Sequence, residues 1–231
     1  MDYKNWEFTY KKILKDFNFS LEQDEKAACV LDKLLQRKKN RISIKQLRNL
    51  INQREIVVFG AGPSLKTSID KHKKILKEMI KISSDGATTA LLENDFLPDI
   101  IVTDLDGKIQ DQIKANSQGS IIIIHAHGNN IDKIKKYVPK FKGKIMGTTQ
   151  TNPDLYNYLF NFGGFTDGDR AIYLSYEFNA KKINLIGFDF DDIIGEYSFP
   201  KNKDRKQKIK KLNWCKYLIN ILDEKDKIRY L

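Results

Sequence analysis

Cysteine is scarce in this chain: Cys29 and Cys215 are the two in 231 residues, far apart and at no metal-ligand spacing. That excludes a disulfide scaffold and a cysteine-built zinc site, and leaves two buried thiols as the expectation. No apolar run approaches the ~20 residues of a membrane span, and the first thirty residues are charged throughout where a secretory leader would be apolar. A soluble, cytoplasmic protein is expected. Internal repeats and low-complexity linkers are missing. So are G-x-x-x-x-G-K-[ST] and a complete G-x-G-x-x-G, which excludes an ordinary P-loop and the dinucleotide fingerprint.

What the chain does have is 41% hydrophobic residues, enough for one generous core, and a net charge of +11. The charge is unevenly spread: +5 over residues 1–55, −1 over 56–200 and +7 over 201–231. A protein gripping phosphate backbones along its core would not be neutral there, so nucleic acid is not the expected partner. The basic run at 201–211 reads as a solvated face. Abundant Lys, Glu and Ile with little Gln suit a heat-adapted chain.

Residues 1–53 read as a helical segment, with Trp6, Tyr10, Ile13, Leu14 and Phe17, then Ala27, Val30, Leu31, Leu34 and Leu35, at helical spacing. Ser20 ahead of Gln23 reads as a capping box. From 54 to 200 six short apolar runs, at 56–60, 80–84, 99–104, 120–126, 144–149 and 183–189, alternate with helical stretches at 65–79, 86–94, 108–116, 130–138 and 170–178. Runs that are continuously apolar demand a sheet covered on both faces, and strand–helix alternation gives right-handed crossovers. The fold class is α/β, a doubly wound, mostly parallel sheet of about six strands. Residues 201–231 would add the basic stretch and a C-terminal helix packed on the core.

In such a sheet ligands bind outside the carboxyl ends of the strands, where almost every polar residue capable of chemistry falls. "FGAGPSL" follows a strand and opens a helix, so its amides either receive a phosphate or form a tight turn capped by Ser64. In "TDLDG" Asp104 and Asp106 are i and i+2; if strand geometry persists they face one way, and paired carboxylates of this kind suit Mg²⁺ together with substrate phosphates. A solvated turn at Asp106-Gly107 is the plain alternative. His125 and His127 in "HAHGNN" lack the third protein ligand that catalytic zinc expects; polarising or hydrogen bonding phosphate and base fits better, and the plain alternative is that at least one of them is a packing histidine. "GGFTDGDRA" is a glycine-rich loop opening a helix. Asp169 would be its N-cap, with Asp167 and Arg170 on a phosphate-clamping lid or simply at a helix start.

Taken in order, "FGAGPSL", "SSDGATTALLE", "LPDIIVTDLDG", "HAHGNN", "GTTQ", "GGFTDGDRA" and "LIGFDF" resemble the archaeal 6-hydroxymethyl-7,8-dihydropterin pyrophosphokinases of the MptE type over roughly residues 54 to 200. The central portion is also similar to the core of thiamin pyrophosphokinases, and the first motif to motility-associated glycosyltransferases. The resemblance implies ATP and Mg²⁺ as cosubstrates, with transfer of the β,γ-diphosphate to the pterin hydroxymethyl group and release of AMP. It places Mg²⁺ on Asp85, Asp104 and Asp106, and catalysis on Asp104, Asp106, Arg170, His125 and His127. Nucleotide or phosphate contacts fall to Gly60, Gly62, Pro63, Ser64, Asp85, Gly86, Thr148 and Thr149. Substrate contacts fall to Asn129, Asn130, Asp167, Asp169 and Asp189, the last three as readers of the pterin or as additional metal ligands. Relatives tend to carry an acid where this chain has Asn129. The β-domain that follows the α/β half of thiamin pyrophosphokinases is missing, which argues against thiamin as acceptor. A nucleotide-sugar glycosyltransferase and an assembly module acting through the basic flanks are the rivals. The N-terminal helices would either cap the core or form an oligomer contact.

Overall fold

The structure is a computed structural model and describes residues 3–191, 193–198 and 205–231. Three helices come first, α1 (Tyr3–Phe17), α2 (Leu21–Gln36) and α3 (Ile44–Ile51), and the alternating part follows: β1 (Glu55–Phe59), α4 (Leu65–Leu76), β2 (Ile80–Ser84), α5 (Ala87–Glu93) and β3 (Ile100–Thr103). The chain continues through α6 (Ile109–Ser117), β4 (Ile121–Ala126), α7 (Ile131–Tyr137), β5 (Ile145–Thr149), β6 (Leu159–Phe160), α8 (Asp167–Glu177), β7 (Lys182–Ile186), α9 (Arg205–Asn220) and β8 (Ile228–Tyr230).

All eight strands form one parallel sheet in the order β6-β5-β4-β3-β2-β1-β7-β8. Winding proceeds from β1 outward to β6, then jumps back across β1 to β7, so the direction reverses between β1 and β7. The sheet has two more strands than the apolar runs predict. Both extra strands, β6 and β8, sit at the edges with two and three residues, too short to leave an apolar signature.

Side-chain alternation sorts the core into two layers. Ile56, Val58, Ile100, Val102, Ile121 and Ile123 face α1, α3, α8 and α9. Ile101, Ile122, Ile124 and Ile145 face α2, α6 and α7, while Val57 and Phe59 face α4 and α5. Each residue of β3, β4 and β5 is therefore buried whichever way it points, which is why four consecutive isoleucines suit β4; every such side chain contributes about 1.5–3 kcal/mol of burial.

The N-terminal helices are part of this packing: Trp6, Tyr10 and Ile13 lie on one face, and Ala27, Leu31 and Leu35 on the other. The helix boundaries follow local chemistry. Ser20 accepts the Gln23 N–H at 3.3 Å, but the reciprocal capping box forms at Ser43 and Gln46, a pair the sequence reading passed over. α8 begins three residues before its predicted start, capped by Thr166. Cys215 is buried as expected; Cys29 is exposed, because it lies on the outward face of α2 beside the buried Ala28. Residues 201–204, the start of the basic run, lie outside the described residues. Among the described residues no helix is long and apolar enough to cross a membrane.

Candidate functional site

The carboxyl ends of β2, β3 and β4 converge with the start of α8, and three carboxylates meet there. Asp85, Asp104 and Asp167 each present an oxygen, and these oxygens all lie within 4.8 Å of one another. Two of the three were expected together. Asp106 is not in the group, and Asp167 takes its place.

The reason is a backbone turn. β3 ends at Thr103, and Leu105 adopts a left-handed φ of +67°, so the two-residue alternation on which the Asp104/Asp106 pairing depends stops one residue too early. Leu105 is held there by complete burial and by donating its N–H to Thr103 Oγ1 at 2.8 Å. Asp106 consequently swings outward to an ion pair with Lys133 of α7, while its N–H donates to Asp104 Oδ1 at 3.1 Å. Asp85 also sits at positive φ, +32°. Non-glycine residues in that region are strained, and two such turns flanking one carboxylate group mark a preorganised site.

Each carboxylate is held differently. Asp85 Oδ1 accepts from Thr103 Oγ1 at 2.7 Å and from Gln112 Nε2 at 2.9 Å. Burial, reinforced by the charge of Asp104, pushes its carboxyl up to about 6. Asp167 accepts from Arg170 Nη1 at 3.0 Å and from the Asp104 N–H at 3.2 Å, yet burial and Asp104 raise it well above the ordinary carboxylate range. For Asp104 burial again opposes charge, but the hydrogen bond from His127, with Lys211 and Arg170 near, outweighs it and holds this carboxyl well below that range. One carboxylate is thus ionised throughout, and two resist ionisation beside it because burial disfavours their charged forms and the charge of Asp104 adds to that.

His127 Nε2 lies 3.3 Å from Asp104 Oδ2, and its Nδ1 accepts the Asn129 N–H at 3.3 Å, which places the ring proton of the neutral form on Nε2, facing the carboxylate. His125 is buried; Nδ1 meets Thr148 Oγ1 at 3.0 Å, and burial with the neighbouring Arg170 keeps the ring neutral. Its Nε2 and Arg170 Nε are both buried without a partner. These residues line a cavity of about 10 Å³, with Thr148, Thr149, Phe162 and Gly163, enough for roughly one water.

Several expected ligand contacts are instead internal. At the "GAGPS" turn the Gly60 and Gly62 amides donate to the carbonyls of Ile186 and Gly187 at 2.8 and 2.9 Å. The Ser64 amide and hydroxyl both donate to Asp189 Oδ2, at 3.0 and 2.9 Å. The positive end of α4 is therefore met by this chain's own aspartate, and Asp189 lies there, away from the carboxylate group. Gly62 is required for that closeness, since a Cβ would stand 2.2 Å from Asp189 Oδ2. Asp169 is not the N-cap of α8: it is buried, and Oδ1 accepts the Phe165 and Thr166 N–H groups at 2.8 and 2.6 Å. Asn130 is a tie, its amide donating to the carbonyls of Asp104 and His125 at 2.9 and 2.7 Å. Thr149 Oγ1 pairs with Thr151 Oγ1 at 2.9 Å, and Gly86 is the N-cap of α5. Pro63 lies within the same turn as Ser64, and Asn129 is exposed.

Sequence reasoning missed Gln112, Lys133 and above all Asp24 of α2, which is 3% exposed and accepts from Tyr10 Oη, Gln150 Nε2 and the Gly128 N–H at 2.6, 2.7 and 2.7 Å. An acid in the first turn of a helix is ordinary complement to the helix dipole, so the sequence carries no signal that this one is buried.

Fold and site together define a doubly wound α/β protein with a carboxylate cluster and one buried arginine at the carboxyl rim of its sheet. The chain belongs to the MptE-like 6-hydroxymethylpterin diphosphokinase family, whose model matches residues 30–195. It is 45% identical to the 6-hydroxymethyl-7,8-dihydropterin pyrophosphokinase of Methanocaldococcus jannaschii over the whole of both chains. Proteins of the same name from Methanothermobacter thermautotrophicus and Pyrococcus furiosus are 45% and 42% identical, covering 87% and 96% of this chain and 84% and 94% of theirs. Among solved structures, the MAf glycosyltransferase from Magnetospirillum magneticum AMB-1 overlaps 62% of this chain and 26% of its own, with 16% identity and a TM-score of 0.43, too slight a likeness to bear on function.

Proposed function

We propose that the chain, a pterin diphosphokinase by family, transfers the β,γ-diphosphate of ATP to the hydroxymethyl oxygen of 6-hydroxymethyl-7,8-dihydropterin with Mg²⁺ present, releasing AMP, as a step of tetrahydromethanopterin or folate-type biosynthesis. The observation that carries this reading is the meeting of Asp85, Asp104 and Asp167 oxygens within 4.8 Å, beside Arg170. Carboxylate oxygens are hard donors, and octahedral Mg²⁺ at about 2.1 Å accepts oxygens up to about 4.2 Å apart, so the group fits that ion with small adjustment. Bound there, Mg²⁺ would neutralise charge on the polyphosphate oxygens.

The protein's own share is positioning and electrostatics, because phosphoryl chemistry asks for little covalent help. Asp104, ionised throughout, is the first anchor; Asp85 and Asp167 give up their protons when a cation arrives. Arg170, with Nε unpartnered and Nη1 on Asp167, is aimed to receive a phosphate oxygen. His127 orients Asp104, and neutral His125 lines the cavity beside Arg170.

Purified protein given ATP, Mg²⁺ and the hydroxymethyl pterin should release AMP, and thiamin in place of the pterin should not support it. Preference for thiamin would overturn the acceptor. Asp104→Asn and Asp167→Asn should each lower kcat by roughly 10²-fold or more, whereas Asp106→Asn, which loosens only the Lys133 pair and one turn, should stay within about tenfold of the parent. A severe loss in Asp106→Asn with Asp167→Asn near the parent would return the cation to the Asp104/Asp106 pair.

A further inference from the structure

Asp24 is remote from the carboxylate group in sequence and lies outside the motifs at the strand ends, yet its hydrogen bonds lead to the site. Oδ1 accepts the N–H of Gly128, the residue after His127. Oδ2 accepts Tyr10 Oη and Gln150 Nε2. Gln150 is itself buried, 3% exposed, with its backbone carbonyl taken by Trp6 Nε1 at 3.0 Å. Its side-chain Oε1 reaches Arg170 Nη2 at 3.5 Å, and the same amide lies against His125.

A carboxylate only accepts hydrogen bonds, whereas an amide has a donating and an accepting end. Asp24 must therefore take the amino end of Gln150, which leaves the carbonyl end toward Arg170, a group that only donates. Were the amide reversed, its N–H₂ would face the guanidinium and neither contact could form. The buried acid on α2 thus decides which end of Gln150 meets the arginine, and Arg170 in turn holds Asp167.

We propose that Asp24 is a positioning residue for the transfer: by fixing the Gln150 amide it holds the Arg170 guanidinium in register with the carboxylate group. This rests on the pterin diphosphokinase reading. In that role α2, outside the motif-bearing core, forms part of the machinery, and the chain of contacts runs Asp24, Gln150, Arg170, Asp167, Asp104.

The test is a swap. Asp24→Asn keeps an oxygen for the Gly128 N–H but presents N–H₂ to Gln150, freeing that amide to turn. Gln150→Glu keeps an acceptor for Arg170 but sets two carboxylates against each other. Asp24→Asn with Gln150→Glu restores a donor–acceptor match, from Asn to Glu to Arg170. Each single variant should lower kcat by roughly tenfold or more with a smaller change in KM, and the double variant should recover most of the loss. Tyr10→Phe removes a buried hydrogen bond to the same carboxylate without touching Gln150; it should lower Tm and leave kcat near the parent. Parental kcat in Asp24→Asn, a double variant no better than the singles, or a kcat loss in Tyr10→Phe equal to that in Asp24→Asn would each overturn the assignment. If the parent protein itself turns over no pterin, the diphosphokinase reading falls, and crystal structures decide the positioning claim separately. The Gln150–Arg170 contact should be broken in Asp24→Asn and remade in the double variant, and its survival in Asp24→Asn sinks the proposal.

Discussion

Asp85 and Asp104 bring carboxylate oxygens within 4.8 Å of each other yet are shifted in opposite directions from the ordinary carboxyl range, and that contrast sets the pH behaviour of the site. A carboxyl raised to about 6 in the folded state stabilises the fold below its ordinary value of 3.8, and that contribution is lost as pH rises through about 6. Asp167 acts in the same sense, whereas Asp104, depressed, changes nothing over this interval. Cation-free protein should therefore lose Tm between about pH 4 and pH 7 on account of these groups, by about 2–4 °C for each kcal/mol. Excess Mg²⁺ should raise Tm much more at about pH 8 than at about pH 5, since binding must displace protons; below pH 6 the affinity should fall by about tenfold per unit for each proton released. Titration calorimetry at several pH values measures this directly. A Mg²⁺ affinity independent of pH would show that Asp85 is not among the ligands.

Among the elements, the "GGFTDGDRA" loop and α8 illustrate how local backbone chemistry presents a side chain. Gly164 has φ +87°, and a Cβ there would stand 2.7 Å from the Arg170 backbone nitrogen. The loop passes so close that the Phe165 and Thr166 amides reach the buried Asp169, which closes the capping box with Thr166. Gly164→Ala should cost about 1–3 kcal/mol in urea unfolding and reduce activity beyond what stability explains, because it displaces Arg170 directly. At the first helices, Ser43→Ala should remove about 1 kcal/mol through its lost cap while leaving kcat unchanged. Glycines, Thr166 and the arginine are visible as a loop opening a helix, so the element was legible. Which acid closes the cap under Thr166 and which joins the carboxylate group was not, since Asp169 and Asp167 are chemically identical and differ only in the direction their helix turns them.

For the whole molecule, α1, α2 and α3 close the two layers around the sheet. Leu31 and Leu35 cover β4 and β5, so Leu31→Ala should destabilise by about 2–5 kcal/mol, read from the denaturation midpoint. Removing residues 1–36 should abolish a cooperative unfolding transition, as both faces of the sheet would be bared; retention of a sharp transition would mean that the α/β part folds by itself. The basic flanks divide similarly: α9 packs through Cys215, Leu218 and Ile219.

The order of elements, the parallel sheet and the rim where the chemistry gathers were determined by the sequence alone, because buried strands and amphipathic helices write their periodicity into consecutive residues. So was family membership, since the motifs stand in order along the chain. Only the tertiary structure decided which carboxylates meet. One left-handed residue, Leu105, turns Asp106 away, while Asp85 and Asp167 converge on Asp104 from 19 and 63 positions along the chain; no spacing rule connects Asp85 after β2 with Asp167 on α8, or Asp24 on α2 with Gln150 after β5. Periodicity is a property of neighbours in the chain. Coordination, burial and the direction of an amide are properties of neighbours in space, and these came into being only when the sheet and its two helical layers assembled.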